Sequence, residues 1–336
     1  MTQKILILSG LIYLALAAAW VLQSGIVRDG PEILHVACDP TRELWADVNT
    51  HFVENQERAT GKRWRVNMSH GGSGSQARAV IDGLPADFLS LALWSDTDAV
   101  RKAGLIDDGW VDEQPYRSLP YFSTIVFVVR KGNPKGVRDW PDLVTGDVNI
   151  VTPNPKTSGN GKWSVLAAWG ACLRRGMSET ETDAYLKELF RRVPVLDTSA
   201  RNATATFASK KRGDVHLTWE NEAILEVAEA VGELEIVYPS CSIRAEPHIA
   251  VVDRIVERRG TQEIVASYVK FLYTDEAQHL IAKHHHRPSN PAILARYADR
   301  FPNIALFPAT DVAPTWDAIL AKFFAENAAF DRWMRN

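Results

Sequence analysis

The chain contains little cysteine and no cysteine pattern that is typical of a metal site. Its 336 residues include only Cys38, Cys172 and Cys241, without a Cys-x-x-Cys pair or a Cys/His spacing of structural zinc. The phosphate-loop pattern Gly-x-x-x-x-Gly-Lys-Ser/Thr is also missing, because Lys162 is followed by Trp163. The sequence therefore predicts neither a structural zinc protein nor a phosphate-loop nucleotidase.

An excess of basic residues is missing as well. The chain has 38 Lys and Arg against 41 Asp and Glu, a net charge of −3, whereas nucleic-acid-binding proteins usually carry a strong basic excess. We therefore predict no nucleic-acid partner, and any anion site must be local. The apolar content of 46% is ordinary for a globular protein, and the length favours two domains over one.

Long hydrophobic runs are confined to the N-terminus. Ile5 to Leu22 is almost entirely apolar, Lys4 precedes it, and Ala17 to Ala19 offers small residues for cleavage. This pattern predicts an export signal over residues 1–28, with an uncleaved membrane anchor as the alternative because the run is close to the shortest membrane span.

Strand-like and helix-like segments alternate after this run, which is typical of an α/β protein with a parallel sheet and helices on both faces. In such sheets ligands bind where strands end and helices begin. The predicted strands are residues 33–37, 64–68, 88–93, 125–130 and 148–151. The predicted helices are residues 40–60, a segment after residue 74, and residues 164–173, 261–273 and 314–324.

Small residues cluster at several of these junctions. The run Ser69 to Gln76 holds three glycines and no carboxylate, and similar helix starts follow Asp39, Ser158 and Ser199. The first N–H groups of a helix have no partner within it and carry partial positive charge, so a glycine-rich entry lets an anion approach. Several such junctions without an evident catalytic residue predict an oxyanion binder rather than an enzyme.

Two side-chain motifs leave alternatives open. Ser73 could act as a nucleophile with His70 as its base, although both lie on one loop and no third group is apparent. The run His284 to His286 could bind a metal, but no carboxylate or further histidine lies near it in sequence, and we predict no metal site.

Trp219 offers an indole N–H, a donor without acceptor capacity, which suits a fully ionised dianion.

At these residues the chain resembles the periplasmic sulfate-binding proteins, which deliver sulfate or thiosulfate to an ATP-binding-cassette importer. The resemblance runs from about Ile33 to the C-terminus. The stretches that carry it are residues 39–44 (DPTREL), 69–74 (SHGGSG), 124–127 (TIVF), 130–134 (RKGNP), 153–156 (PNPK), 166–170 (LAAWG), 219–223 (WENEA) and 245–247 (AEP).

The resemblance implies a type II periplasmic-binding-protein fold with two α/β lobes and the anion in the cleft between them. Lobe I would comprise residues 29–118 and 243–336, and lobe II residues 119–242. Neither a catalytic residue nor a cofactor is implied, and the expected partners of the monomer are the permease subunits of the importer. The implied ligands are the backbone N–H groups of Asp39, Ser158, Gly159, Asn160 and Ala200, the Ser73 hydroxyl and the Trp219 indole. The Asp39 carboxylate would then turn away to cap its own helix.

The chain departs from the family pattern beside some implied ligands. Cys38 stands where tyrosine is usual, and Ser199 where glycine is usual, so the preference between sulfate and thiosulfate stays open. The resemblance also brings Cys241 towards Cys38, which leaves either a disulfide between them or two separate buried thiols. The functional alternatives are another tetrahedral oxyanion, molybdate or phosphate, and a hydrolase that uses Ser73.

Overall fold

The computed structural model of the protein describes residues 31–335. The predicted export signal or anchor, residues 1–28, lies outside these residues. Within them, no helix combines the length and the apolar character that a membrane crossing requires.

Two sheets of mixed direction form the centres of two lobes. The first lobe contains a four-stranded sheet in the order β11-β3-β1-β2, and the second lobe a five-stranded sheet in the order β7-β6-β8-β5-β9. The strands are β1 (Glu32–Cys38), β2 (Arg65–Gly71), β3 (Phe88–Ser90), β4 (Tyr121–Phe122), β5 (Ile125–Arg130), β6 (Ile150–Pro153), β7 (Leu196–Asp197), β8 (Val215–Trp219), β9 (Leu234–Val237), β10 (Cys241–Ile243), β11 (Ile249–Val251), β12 (Arg287–Pro288) and β13 (Ala305–Phe307).

Helices cover the faces of both sheets. They are α1 (Arg42–Thr60), α2 (Ser73–Ile81), α3 (Trp94–Lys102), α4 (Gly159–Arg174), α5 (Glu179–Arg191), α6 (Ala200–Thr204), α7 (Glu220–Glu229), α8 (Asp253–Arg259), α9 (Gln262–Phe271), α10 (Asp275–Lys283), α11 (Pro291–Ala295), α12 (Trp316–Ile319) and α13 (Ala329–Trp333). Shorter helical turns are Asp39–Thr41, Trp110–Asp112, Pro115–Ser118, Trp140–Val144, Ala205–Ser209, Ala309–Asp311 and Leu320–Phe324.

Local chemistry explains where several helices begin and end. Helix α5 starts at a capping box, in which the Ser178 hydroxyl accepts from the Glu181 N–H and the Glu181 carboxylate accepts from the Ser178 N–H. Helix α1 ends at Gly61, whose φ of 68° is left-handed and whose N–H donates to the Glu57 carbonyl over 2.8 Å. The end of α1 agrees with the predicted helix over residues 40–60, whereas α5 is not among the predicted helices.

The sheets are less uniformly parallel than the alternation of segments predicts. Strand β1 runs parallel to β2 and β3, and β6 runs parallel to β7 and β8. Strand β5, however, is antiparallel to both β8 and β9, and β11 is antiparallel to β3. Strands β5 and β11 follow crossings between the lobes rather than a βαβ connection, so the right-handed crossover that enforces parallel pairing does not apply to them.

Each sheet has a hydrophobic core on both faces. In the first lobe, one face packs Trp45 and Tyr268 and the other packs Val80 and Trp110. In the second lobe, one core contains the α4 residues Leu166 and Trp169, and the other core contains Phe207 and Val128. The helices are therefore fixed on both faces, and the loops at the strand ends stay free to form the cleft.

The C-terminal segment departs from the predicted division into lobes. The prediction assigns residues 243–336 to lobe I, but β13 pairs with β10, and Phe323, Phe330 and Trp333 join the core that contains α4 and α5 of the second lobe. Phe190 stacks on Trp333 with 5.8 Å between ring centroids. The aromatic side chains of this segment find their hydrophobic partners on the second lobe, which the chain order alone does not indicate.

The three cysteines are free and buried. Cys172 lies in the core of α4, as predicted, and burial raises its pKa to about 12. Of the two predicted alternatives, the structure shows separate buried thiols: Cys38 ends β1, Cys241 begins β10, and no disulfide joins them.

Candidate functional site

One small cavity between the two lobes is lined by all seven residues predicted as ligands. Its volume is about 20 Å³, which is room for a small ion rather than for a metabolite. Its walls are Cys38, Asp39, Pro40, Gly71, Gly72, Ser73, Ala92, Ser158, Gly159, Asn160, Ser199, Ala200 and Trp219. Loops that follow strands of both lobes thus meet at one place.

Helix N-termini supply free backbone donors to this cavity. Gly159 and Asn160 begin α4, Ala200 begins α6, and Asp39 begins the turn before α1. Among the described residues, no backbone hydrogen bond uses the N–H of any of these four. Unpaired N–H groups in a first turn carry partial positive charge, so the cavity favours an anion.

Ser73 adds a hydroxyl donor from the first lobe. It begins α2, is 1% exposed, and its Oγ accepts a hydrogen bond from the Ala92 N–H over 3.0 Å. Because the backbone N–H can only donate, the hydroxyl must act as the acceptor in this bond, and its own hydrogen remains free for a ligand.

Trp219 adds an indole donor from the second lobe. It ends β8, is 4% exposed, and its Nε1 has no hydrogen-bond partner within residues 31–335. A buried donor without a partner is costly, and this one belongs to a residue that lines the anion cavity. A bound acceptor would remove that cost.

Two predicted details differ in the structure. The Ser158 N–H, predicted as a ligand, donates to the Asn154 carbonyl over 2.9 Å, because the chain closes a helical turn just before α4. The Asp39 carboxylate, predicted to cap its own helix, accepts from the Arg42 guanidinium over 2.7 Å. Asp39 lies inside the first turn and Cys38 is the N-cap residue, so the Asp39 side chain is one position too late to cap.

Basic side chains stay outside the cavity wall. In the part of the chain that the structure describes, the wall contains neither Lys nor Arg. The nearby Lys162 lies 3.7 Å from Asp96, and Arg201 lies 2.8 Å from both Glu43 and Glu222. Their charges are thus neutralised by carboxylates, and the donors that face the cavity are neutral dipoles.

Contacts across the cleft hold the lobes together. The Trp163 indole donates to the Ala92 carbonyl over 2.8 Å, and the Asn221 amide donates to the Pro40 carbonyl over 3.3 Å. Arg201 of the second lobe pairs with Glu43 of the first. In this arrangement donors from both lobes face the same cavity.

The other motifs of the sequence have structural partners. The His70 Nδ1 lies 3.4 Å from the Cys38 carbonyl, burial lowers the His70 pKa, and within the described residues no hydrogen bond joins His70 to Ser73. In the histidine run, the His284 Nε2 lies 2.8 Å from an Asp47 oxygen, and the His286 ring meets the Tyr121 ring edge-on at 4.7 Å. The described residues contain no cluster of three or more potential metal ligands.

Comparison with known proteins decides the family. The model of the bacterial extracellular solute-binding protein family matches residues 34–287. The chain belongs to this family.

Relatives within this family identify the group more closely. The chain is 42% identical over 320 residues to a thiosulfate-binding protein of Pseudomonas aeruginosa, covering 95% of this chain and 96% of the relative. It is also 42% identical over 325 residues to a sulfate-binding protein of Escherichia coli K12, covering 96% and 97% of the two chains. The predicted membership of the sulfate- and thiosulfate-binding family is confirmed.

The fold agrees with this family. The structure of the sulfate-binding protein SubI from Mycobacterium tuberculosis H37Rv superimposes with a TM-score of 0.78 at 32% identity, covering 88% of this chain and 99% of that one. The predicted two-lobed, type II periplasmic-binding-protein fold is confirmed.

Ala92 is a wall residue that the sequence did not reveal. Its N–H positions the Ser73 hydroxyl, and its carbonyl accepts from the Trp163 indole of the other lobe. The sequence predicts a strand over residues 88–93, but β3 ends at Ser90 and leaves Ala92 in the loop before α3. An apolar run without a turn residue gives no signal for that early end.

A buried carboxyl beside the cleft predicts a pH-dependent stability. Burial raises the Glu222 pKa from 4.5 to about 7, and Arg201 offsets only part of this effect. Since the folded protein keeps a proton that the unfolded chain releases in this window, the free energy of unfolding should fall as pH rises through it. In Glu222→Gln this fall should be smaller by up to about 3 kcal/mol.

Urea unfolding of wild type and Glu222→Gln at about pH 5 and pH 8 measures the difference, because the other titrating groups are common to both proteins. Parallel stability profiles would show that Glu222 is ionised throughout this range.

Proposed function

We propose that this protein binds sulfate or thiosulfate in the periplasm and delivers it to an ATP-binding-cassette importer. The observation that carries the proposal is the buried, unpartnered Trp219 indole N–H in a cavity that free helix N-termini also line. The relatives named above bind sulfate or thiosulfate, and their similarity covers nearly the whole chain.

The proposed ligand donors are the backbone N–H groups of Asp39, Gly159, Asn160 and Ala200, the Ser73 hydroxyl and the Trp219 indole. Ser158 lines the cavity just before α4, but its N–H donates to the Asn154 carbonyl and is not a ligand donor. Hydrogen bonds to a charged acceptor are about twice as strong as neutral ones. Six oriented donors would therefore replace the hydration shell of a dianion without a salt bridge.

Closure of the lobes would assemble this set. Asp39 and Ser73 belong to the first lobe and the other donors to the second, so an open cleft would present only part of the set. We place the first lobe at residues 31–118 together with the segment between residue 243 and β13, and the second at residues 119–242 with the C-terminal segment from β13 onward packed on it.

We propose a binding role rather than catalysis, with the permease subunits of the importer as partners of a monomeric protein. The hydrolase alternative needs a base at Ser73, but the Ser73 Oγ accepts from Ala92 and the His70 ring contacts Cys38. The relatives are binding proteins, which favours the same role.

The choice of anion tests this proposal. A site of donors only should prefer fully ionised sulfate over hydrogen phosphate, whose proton needs an acceptor. An unmatched buried polar group costs about 1–3 kcal/mol, so we expect sulfate to bind at least about fivefold more tightly than phosphate.

Titration calorimetry near neutral pH with sulfate, thiosulfate, molybdate and phosphate measures this preference. Phosphate or molybdate binding as tight as sulfate would replace the proposal with the alternative of another tetrahedral oxyanion.

A further inference from the structure

A second, smaller cavity adjoins the anion cavity. Its volume is about 10 Å³, and Cys38, Pro40 and Trp219 line both cavities. These three residues form the wall that the two spaces share. We call it the side cavity, and its other walls are Thr41, Tyr121, Asn221, Pro247 and His286.

The side cavity offers few donors to an oxygen atom. The Thr41 hydroxyl donates to the Cys38 carbonyl over 2.7 Å, and the Asn221 amide donates to the Pro40 carbonyl over 3.3 Å. Pro40 and Pro247 have no N–H to give. The anion cavity, by contrast, is lined by free backbone N–H groups.

No charge compensates for the missing donors. The His286 Nδ1 lies 2.9 Å from the His284 carbonyl, and burial lowers the His286 pKa to about 3, so its ring is neutral at physiological pH. Cys38 is likewise neutral, since burial raises its pKa to about 12. An oxygen that carries part of a dianion's charge would lose its hydration in this space and gain little in return.

Three polar atoms in the wall lack a hydrogen-bond partner within the described residues: the Trp219 Nε1, which also belongs to the anion cavity, the Asn221 Oδ1 and the Tyr121 hydroxyl. Tyr121 is 1% exposed, and its hydroxyl makes no hydrogen bond with any residue between 31 and 335. The Asn221 Oδ1 can only accept and therefore opposes an anionic oxygen, whereas the polarisable Cys38 thiol suits an atom that is large, soft and only weakly hydrated.

We propose that the side cavity receives the fourth substituent of the bound anion and selects thiosulfate over sulfate, with Cys38 as a specificity-determining residue. The inference rests on the proposed function. Three oxygens of the anion would meet the donors of the main cavity, and the terminal sulfur, which is larger and a weaker acceptor than oxygen, would enter the side cavity. Sulfate would have to place a fourth oxygen where donors are scarce.

Calorimetry on the wild-type protein gives the first test. We expect thiosulfate to bind more tightly than sulfate. Tighter binding of sulfate would overturn the inference and leave the proposed function intact, whereas failure to bind either anion would remove both.

Variants of the wall give the second test. Cys38→Met fills the side cavity, so we expect thiosulfate affinity to fall by about tenfold more than sulfate affinity does. Cys241→Met, which enlarges a buried cysteine outside both cavities, is the matched control and should leave the ratio of the two affinities unchanged. An equal change for both anions in Cys38→Met would contradict the inference.

Tyr121→Phe guards against a folding defect in Cys38→Met, because it removes only the unpartnered hydroxyl. It should lower thiosulfate affinity about threefold or more and leave sulfate affinity near wild type. Tyr273→Phe removes another hydroxyl that lacks a partner among the described residues but lies outside both cavities, and it should change neither affinity. If both tyrosine variants lost the preference for thiosulfate over sulfate, or if neither did, the role proposed for the side cavity would be rejected.

Discussion

Trp219→Phe is expected to weaken sulfate binding by roughly tenfold to a hundredfold. The change keeps most of the ring but removes the indole N–H, which has no partner within the described residues. A hydrogen bond to a charged group contributes about 1.5–3 kcal/mol, which corresponds to this range of affinities. The stability of the unliganded protein should change little, because water can satisfy the donor when the cleft is open.

Trp169→Phe is the matched control for this experiment. The Trp169 Nε1 is also buried without a partner in residues 31–335, but Trp169 lies in the core around α4 and does not line the cavity. Its loss should leave sulfate affinity near wild type. Titration calorimetry and a melting curve without ligand decide the matter, and unchanged sulfate affinity in Trp219→Phe would remove Trp219 from the site.

Gly159→Ala should weaken sulfate binding by a similar factor through a different cause. A Cβ atom at Gly159 would lie 2.7 Å from the Cβ of Ala92 on the opposite lobe, too close for two carbon atoms. The backbone N–H of residue 159 would remain, but the lobes could not close over the anion without a shift. Overpacking of this kind costs about 1–3 kcal/mol, or roughly fivefold to a hundredfold in affinity.

Gly74→Ala controls for the added methyl group. Gly74 lies in the first turn of α2, and a Cβ there would have as its nearest neighbour an Asp96 oxygen at 3.9 Å, an ordinary contact. Its sulfate affinity should stay within about threefold of wild type. If Gly159→Ala bound sulfate as tightly as Gly74→Ala, the closed arrangement around Gly159 could not be the one that binds the anion.

The parts of the site that the sequence predicted are those with local signals. Proline at residue 40, serine at residue 199 and glycines beside Ser73 and Asn160 mark helix starts, because capping and close backbone approach depend on a few neighbouring residues. The resemblance to a known family then indicated that these starts converge. A local sequence pattern does not indicate which helix N-termini lie close together in the fold. The spacing of these motifs therefore could not predict that they line one cavity.

What the sequence did not predict depends on contacts between distant segments. Ala92 matters because its loop meets both Ser73 and Trp163, which lie on different lobes. The C-terminal segment packs on the second lobe because Phe330 and Trp333 find Phe190 there. The Ser158 N–H donates to the Asn154 carbonyl and is therefore not free for the anion. The sequence does not predict this bond, because it depends on the exact residue at which the helical turn begins.

A crystal structure of the protein with sulfate tests the central claim most directly, namely that neutral donors from both lobes hold the anion. We predict one sulfate in the cavity, with its oxygens about 2.7–3.2 Å from the Ser73 Oγ, the Trp219 Nε1 and the backbone nitrogens of Gly159 and Ala200, and with no Lys or Arg in contact. A sulfate bound to Lys or Arg elsewhere, or a cavity filled only by water at saturating sulfate, would contradict the claim.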